Sequence, residues 1–231
     1  MQSDQQLFAK GLATYRKVIA ANYMAHREVY QLLNRILVAE APDDFVFADI
    51  ACGTAPFSAS ARAGAKVGRY IGIDISQPSL DVAKEALAAL ECPLDLRCED
   101  FVEAIDAWTG PLDVAWIGQS LHHLRAPEKQ AFMAKVRSLL PRNRGLFLIW
   151  EATCFDGEDR ERWMQRFRDL RPEWPDISDE EFAAFDSHHR ASDYAETSAM
   201  WIGMARRADF TRAEELMTVP NQLARVYCFS P

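Results

Sequence analysis

The feature that most limits the fold of this chain is a regular alternation of short apolar runs with segments of helical periodicity. Five runs have the length and composition of buried strands: Phe45 to Ile50, Tyr70 to Asp74, Leu94 to Cys98, Asp113 to Ile117 and Leu146 to Trp150. Helical patterns separate most of these runs, which is typical of a parallel sheet covered by helices on both faces. The sequence therefore predicts an α/β fold.

The carboxyl-terminal region has a different pattern. After Phe210, two apolar runs, Ala213 to Val219 and Leu223 to Phe229, are separated only by Pro220 and Asn221. So tight a connection favours an antiparallel pair of strands. Together with the five earlier runs, this predicts a doubly wound, seven-stranded sheet that is mostly parallel and has an antiparallel strand near the carboxyl terminus.

A helical segment precedes the predicted sheet. Val29, Leu33 and Leu37 recur on one face of a helix that should end near Glu40, and the following Ala-Pro-Asp sequence closes it. We expect two regions: an amino-terminal helical cover over residues 1–40, and the sheet domain over residues 41–231.

Composition excludes several classes of protein. The 231 residues are 49% hydrophobic and 26% charged, as expected for one globular domain, and the net charge of −8 gives no general attraction to nucleic acid or anionic membranes. The five cysteines show no CxxC spacing, which favours a reducing, cytoplasmic compartment. No apolar run approaches the roughly 20 residues of a membrane span. We therefore expect neither nucleic acid nor a membrane as a partner.

The first predicted strand leads into a turn of small residues. The stretch FADIACGTAPFSAS, residues 47–60, places Asp49 and Gly53 at the carboxyl end of an apolar strand, directly before an alanine-rich segment. Such a strand, turn and helix resemble the first unit of a nucleotide-binding sheet. A nicotinamide-dependent dehydrogenase would need G-x-G-x-x-G, of which residues 51–58 supply only Gly53, so that alternative ranks last.

Four blocks in order resemble the class I S-adenosylmethionine-dependent methyltransferases of small molecules, from about Phe45 to the carboxyl terminus. They are DIACGTA at 49–55, YIGIDIS at 70–76, CEDF at 98–101 and the segment 113–124, which ends in QSLHHL. The resemblance implies a Rossmann-like fold and S-adenosylmethionine as the cofactor. It also implies transfer of a methyl group to a small acceptor.

By the same resemblance, each block contributes cofactor-binding residues. Asp74 would accept hydrogen bonds from the ribose hydroxyls, with Ile75 beside it; Asp100 would accept from the adenine amino group, and Phe101 would lie against the base. Asp49 would orient the loop and the methionine end, and the backbone of Gly118 and Gln119 would face the amino group and sulfonium. The implied cofactor site comprises Tyr23, Asp49, Ala51, Gly53, Asp74, Ile75, Asp100, Phe101, Gly118 and Gln119. Glu99 is the alternative to Asp100, and helix capping is the alternative role of Asp49.

One position departs from the family pattern. Ala55 stands where the family usually has a second glycine, and Pro56 follows it. An alanine there is tolerable if its φ is negative and costly if its φ is positive.

Substrate choice is expected in a cap insertion at about residues 155–192, followed by a helix starting near Tyr194. Trp163, Phe167 and Trp174 supply aromatic surface in this segment.

The candidate general bases are two adjacent pairs, His122-His123 and His188-His189, of which His189 and His122 are the predicted catalytic residues. Adjacent side chains diverge, so neither pair chelates well alone, and no metal is expected.

Two alternative functions remain at this point. The chain could bind the cofactor without catalysis, as a sensor or partner protein, or it could methylate RNA. The net negative charge and the absence of an appended basic domain make methylation of RNA the less favoured alternative. The acceptor atom and the oligomeric state are not predicted.

Overall fold

The chain folds into a three-layer α/β structure. The computed structural model describes residues 4–231, with side chains described from residue 13 onward. The strands are β1 (Phe45–Ile50), β2 (Val67–Asp74), β3 (Leu94–Cys98), β4 (Val114–Gly118), β5 (Leu146–Cys154), β6 (Glu196–Thr197), β7 (Arg212–Thr218) and β8 (Ala224–Ser230). The α-helices are α1 (Asp4–Ala21), α2 (His26–Glu40), α3 (Ser58–Ala61), α4 (Gln77–Ala86), α5 (Phe101–Asp106), α6 (Ala126–Leu139), α7 (Arg160–Asp169), α8 (Asp179–Ser192) and α9 (Ser198–Arg207).

The sheet has the strand order β3-β2-β1-β4-β5-β8-β7, and the short β6 pairs with the end of β5. Strands β1 to β5 are parallel, while β8 runs antiparallel to both of its neighbours. The predicted doubly wound, mostly parallel sheet with an antiparallel carboxyl-terminal strand is confirmed. Within residues 4–231 there are eight strands instead of seven, because β6 adds a two-residue pairing.

Apolar side chains are buried on both faces of the sheet, as the nearly continuous apolar strands require. On one face, α2 packs Val29, Leu33 and Leu37 against the sheet. On the other face, α6 and α9 bury residues such as Phe132 and Trp201. A third apolar cluster joins the segment after β5 to α1 through Val18. No helix in residues 4–231 is both long and apolar enough to cross a membrane.

Two element boundaries differ from the sequence-based expectation. Strand β5 continues past Trp150 to Cys154, because its end pairs with β6 and β8. The helix expected near Tyr194 begins at Ser198, where the Thr197 side chain accepts a hydrogen bond from the backbone N–H of Met200. The expected helix start after Ser76 is confirmed, and the Ser76 side chain accepts from the N–H of Ser79.

Candidate active site

A cavity of about 330 Å³ opens at the carboxyl ends of β1, β4 and β5. The chain order of the sheet reverses between β1 and β4, and ligands of open parallel sheets bind at such a point. The sheet contributes Ala51, Cys52, Gly53, Thr54, Gly118, Gln119 and Ser120 to the lining. Four of the ten predicted cofactor residues, Ala51, Gly53, Gly118 and Gln119, therefore line one cavity.

The loop after β1 has a left-handed backbone at alternate residues. The φ angles of Ala51, Gly53 and Ala55 are 54°, 54° and 47°. Ala55 thus has the costly conformation, since a left-handed alanine costs roughly 1–2 kcal/mol. A Cβ atom on Gly53 would meet no protein atom within 4 Å, so the loop leaves open space at this glycine for a bound molecule.

Asp74 lies at the end of β2 and holds this loop in place. Its Oδ2 accepts the N–H of Gly53 at 2.8 Å, and its Oδ1 accepts the N–H of Ser76 at 2.8 Å. Burial raises the pKa of this carboxyl group, while the two backbone hydrogen bonds oppose the shift. The predicted ribose ligand is thus a strand-end carboxylate beside the open glycine.

Asp49 points into the protein interior. Its Oδ2 accepts hydrogen bonds from the Ser58 hydroxyl at 2.6 Å and the Tyr70 hydroxyl at 2.7 Å, and only 2% of the residue is exposed. Burial raises the pKa of Asp49, while those hydrogen bonds and the charge of Arg62 oppose the rise. The Asp49 side chain orients the segment after the loop and does not line the cavity, where the resemblance implied contact with the methionine end.

The remaining predicted cofactor residues of the sheet lie at neighbouring strand ends, outside the cavity lining. Ile75 is 74% exposed. Asp100 caps α5, with its Oδ1 accepting the backbone N–H groups of Val102 and Glu103. The ring of Phe101 packs edge-on against Phe132, with ring centroids 5.5 Å apart.

Four of the five histidines surround one carboxylate, that of Asp193. The nearest nitrogen–oxygen distances from Asp193 are 3.7 Å to His122, 3.2 Å to His123, 3.5 Å to His188 and 3.6 Å to His189. These four histidines and Asp193 all line the cavity. The two histidine pairs, which are separate in sequence, therefore form one cluster.

A second carboxylate, Glu151, holds His122 from the other side. The Nδ1–H of His122 donates to Oε2 of Glu151 at 2.8 Å. The fully buried Glu151 also accepts backbone N–H groups from Ser120, Leu121 and His122 itself. This bond fixes the orientation of the His122 ring, with Nε2 on the side of Asp193.

Burial and charge act in opposite directions within the cluster. Burial lowers the pKa of His189 to about 4, so this ring is neutral near pH 7. Burial alone would raise the pKa of Asp193, but the hydrogen bond from His123 and the charges of His122 and His189 outweigh it and lower that pKa to about 2. Burial would lower the pKa of His123, yet Asp193 raises it overall. Asp193 is thus an anion throughout the neutral range.

The sequence analysis missed Glu151 and Asp193. Glu151 had a usable signal, because a charged residue within a buried apolar strand needs a specific partner. Asp193 had none, since two of its four histidine partners, His122 and His123, lie about 70 residues away in the chain.

Helices α1 and α2 cover the cavity from the amino-terminal side. Tyr15, Met24, His26 and Tyr30 line it, and the Tyr15 hydroxyl lies 3.0 Å from Nε2 of His26. Tyr23, the predicted contact, is not among the lining residues. Its ring stacks on Trp174 with centroids 4.9 Å apart, and its hydroxyl donates to Oδ2 of Asp176 at 2.6 Å.

The segment after β5 forms the opposite wall. Helices α7 and α8 lie in the region where the cap is expected, and their side chains Trp163, Phe167 and Phe185 line the cavity together with Trp174. The His189 ring contacts Phe167, with centroids 4.2 Å apart. The cavity therefore has a polar side at the sheet and an aromatic side at these two helices.

Comparison with known proteins finds a family match over part of the chain and similar solved structures. Residues 47–143 match the family described as "Methyltransferase domain". The structure is similar to the magnesium protoporphyrin IX methyltransferase of Synechocystis with bound S-adenosylhomocysteine, with a TM-score of 0.63 and 16% identity over 96% of this chain and 95% of that one. The family match runs from within β1 to just past α6, and the likeness in structure shows a shared fold.

Two further proteins are similar to this chain. A cyclopropane synthase of Mycobacterium tuberculosis shares the fold with a TM-score of 0.60 and 14% identity, over 89% of this chain and 83% of that one. A carboxy-S-adenosyl-L-methionine synthase of Campylobacter hominis is 24% identical over 144 residues, which are 62% of this chain. The match spans 60% of the length of that curated relative.

Proposed function

We propose that this chain transfers a methyl group from S-adenosylmethionine to a small-molecule acceptor. The observation that carries the proposal is the two-sided cavity: the glycine loop and Gly118-Gln119 form one side, and the aromatic helices with the histidine cluster form the other. A cofactor and an acceptor placed in one enclosed space can react by in-line displacement.

The residues of the cofactor side fit S-adenosylmethionine. The open space at Gly53 admits a bound molecule close to the backbone, and Asp74 offers a carboxylate beside it for the ribose hydroxyls. Exposed Ile75 offers apolar surface for the adenine, and Asp100 keeps its Oδ2 for the adenine amino group while its Oδ1 caps α5. The backbone of Gly118 and Gln119 faces the methionine end in this proposal.

The bound cofactor supplies an activated methyl group, so the chain has to position the acceptor and exclude water. The aromatic side chains Trp163, Phe167, Trp174 and Phe185 line the acceptor side and favour an acceptor with an apolar body. Tyr23 closes the cavity indirectly, by joining the cover to Trp174 and Asp176.

An acceptor hydroxyl or ammonium group has to lose a proton, and we assign that proton to a ring nitrogen of His189. The ring lines the cavity, is neutral near pH 7, and lies 3.6 Å from the Asp193 carboxylate, which would stabilise its protonated form. His122 is the second candidate, because Glu151 orients its ring and the ring lines the cavity.

Two measurements test the proposal. Calorimetry should show binding of S-adenosylmethionine and S-adenosylhomocysteine, and a panel of hydroxyl, amine, thiol and carbon acceptors should gain labelled methyl from the cofactor. Binding without transfer to any acceptor would instead support a cofactor-binding protein without catalysis. No binding of either compound would overturn the proposal.

A further inference from the structure

We propose that His122, His123 and Asp193 bind one divalent transition-metal ion of the zinc and ferrous iron class. This inference does not depend on the proposed methyl transfer. It replaces the sequence-based expectation of a metal-free site, which considered each histidine pair alone. The structure adds a carboxylate from another part of the chain between the two pairs.

The three side chains have the spacing of ligands around a common ion. Nε2 of His122 lies 3.7 Å from Oδ2 of Asp193, and Nδ1 of His123 lies 3.2 Å from Oδ1. The three ligand atoms lie within 4.8 Å of one another. Ligand atoms bound at ~2.1 Å and tetrahedral angles are about 3.4 Å apart, so a metal fits among these atoms with small side-chain adjustments.

The support of the His122 ring gives a second argument. Oε2 of Glu151 lies 2.8 Å from Nδ1 of His122, and Nε2 of the same ring lies 3.7 Å from Oδ2 of Asp193. A carboxylate that holds the distal nitrogen of a histidine is also the usual support of a metal-ligating imidazole.

The donor set selects the kind of ion. Two imidazole nitrogens and one carboxylate suit zinc or ferrous iron, whereas magnesium and calcium prefer oxygen ligands. Three protein ligands leave at least one coordination position, and all three residues line the cavity. His188 and His189, 3.5 Å and 3.6 Å from the same carboxylate, are the additional ligands within reach.

Metal binding would change the division of roles within the cluster. A metal on Nε2 of His122 occupies the lone pair that would otherwise accept a proton. His122 would then act as a ligand, and the proposed proton acceptor would be His189 alone. The competing explanation is that the histidines only stabilise Asp193 by hydrogen bonds and charge.

The test measures metal binding by the whole chain, independently of turnover. After treatment with a chelator and its removal, Zn²⁺ is titrated by calorimetry and the bound metal is counted by elemental analysis. We expect about one Zn²⁺ per chain, and a Co²⁺-loaded sample should show the visible absorption of an imidazole-ligated ion. Mg²⁺ should not compete.

Two variants and one control locate the site. Asp193→Asn preserves side-chain shape, and His123→Gln alters a ring whose side chain is 37% exposed, so each is expected to fold, as circular dichroism will check. Each should weaken Zn²⁺ binding roughly 10- to 100-fold or more. His26→Gln removes the fifth histidine, which contacts Tyr15 and Trp150 instead of Asp193, and should bind Zn²⁺ like the parent. A parent chain that binds less than about one tenth of an equivalent, or folded variants that bind as tightly as the parent, would overturn the inference.

Discussion

The backbone N–H of Gly53 donates a hydrogen bond to Oδ2 of Asp74 at 2.8 Å, which joins the glycine loop after β1 to the end of β2. The same carboxylate is the proposed ligand of the ribose. If Asp74 binds the ribose as proposed, a change at this residue should affect both the shape of the loop and the affinity for the cofactor.

Asp74→Ala should weaken binding of S-adenosylmethionine on the order of a hundredfold. Two charge-assisted hydrogen bonds to the ribose, at ~1.5 kcal/mol each, account for that loss. Calorimetry of parent and variant measures it directly. Asp81→Ala, at an exposed position of α4, is the control and should leave the affinity unchanged. Parental affinity in Asp74→Ala would remove Asp74 from the ribose site.

Asp100 and Glu99 can be separated by variants that preserve the helix cap. Asp100→Asn keeps an oxygen for the N–H groups of Val102 and Glu103, but it places an amide donor where the adenine amino group needs an acceptor. We expect about a tenfold loss of cofactor affinity from this one lost hydrogen bond. Glu99→Gln, at an exposed residue, should bind the cofactor normally. The reverse pattern would assign the adenine contact to Glu99.

His189→Ala should lower kcat roughly 10²- to 10⁴-fold, the usual contribution of a positioned base. Since a base acts on the acceptor, the affinity for S-adenosylmethionine should stay close to that of the parent. Steady-state kinetics with the acceptor and calorimetry with the cofactor measure the two quantities. His188→Ala, whose side chain is 54% exposed, serves as the neighbouring control and should lose less turnover. Equal losses of turnover and cofactor affinity in His189→Ala would show that the residue is structural.

Tyr23→Ala should raise the KM for cofactor and acceptor by up to about tenfold, because it removes both the stack on Trp174 and the hydrogen bond to Asp176. Tyr23→Phe keeps the stack and should have an intermediate effect. Initial-rate kinetics give the KM values, and limited proteolysis should cut α1 faster in the alanine variant. Parental kinetics in Tyr23→Ala would show that the contact between cover and cap does not control access.

His26 should make the stability of the fold depend on pH. Burial lowers its pKa from 6.5 to about 4, so the unfolded chain binds the proton more readily than the folded one. The stabilising contribution is complete above about pH 6.5 and is lost as pH falls toward 4. Between pH 7 and pH 5, the parent should lose about 2 kcal/mol more of its free energy of unfolding than His26→Gln. Urea unfolding at both pH values measures the difference, and parallel losses in the two proteins would contradict the assignment.

The sequence predicted the sheet well because its signals are local. Buried parallel strands are apolar runs whatever their neighbours are, and the Ser76 cap of α4 depends on residues three positions apart. The predicted end of β5 was four residues too early. Glu151 is tolerated within this strand only through partners supplied by the loop after β4. Those partners are tertiary contacts that a local pattern does not contain.

The sequence indicated where the cavity lies but not which side chains surround it. The glycine loop and Gly118-Gln119 line the cavity, as strand-end residues of a parallel sheet should. The direction of the Asp49 side chain depends on Ser58 and Tyr70, which lie in other elements. The cluster around Asp193 joins segments about 70 residues apart, so each histidine pair looked incapable of chelation on its own.

The contact between Tyr23 and Asp176 joins residues 153 positions apart in the chain, and Lys17 pairs with Glu181 over 164 positions. During synthesis at about 5–20 residues per second, the cover therefore waits on the order of ten seconds for its partner helices to leave the ribosome. Throughout that interval the side chains of the cover that will line the cavity, such as Tyr15 and Tyr30, lack the wall that α7 and α8 later provide. The cavity is therefore completed only after most of the chain has been synthesised.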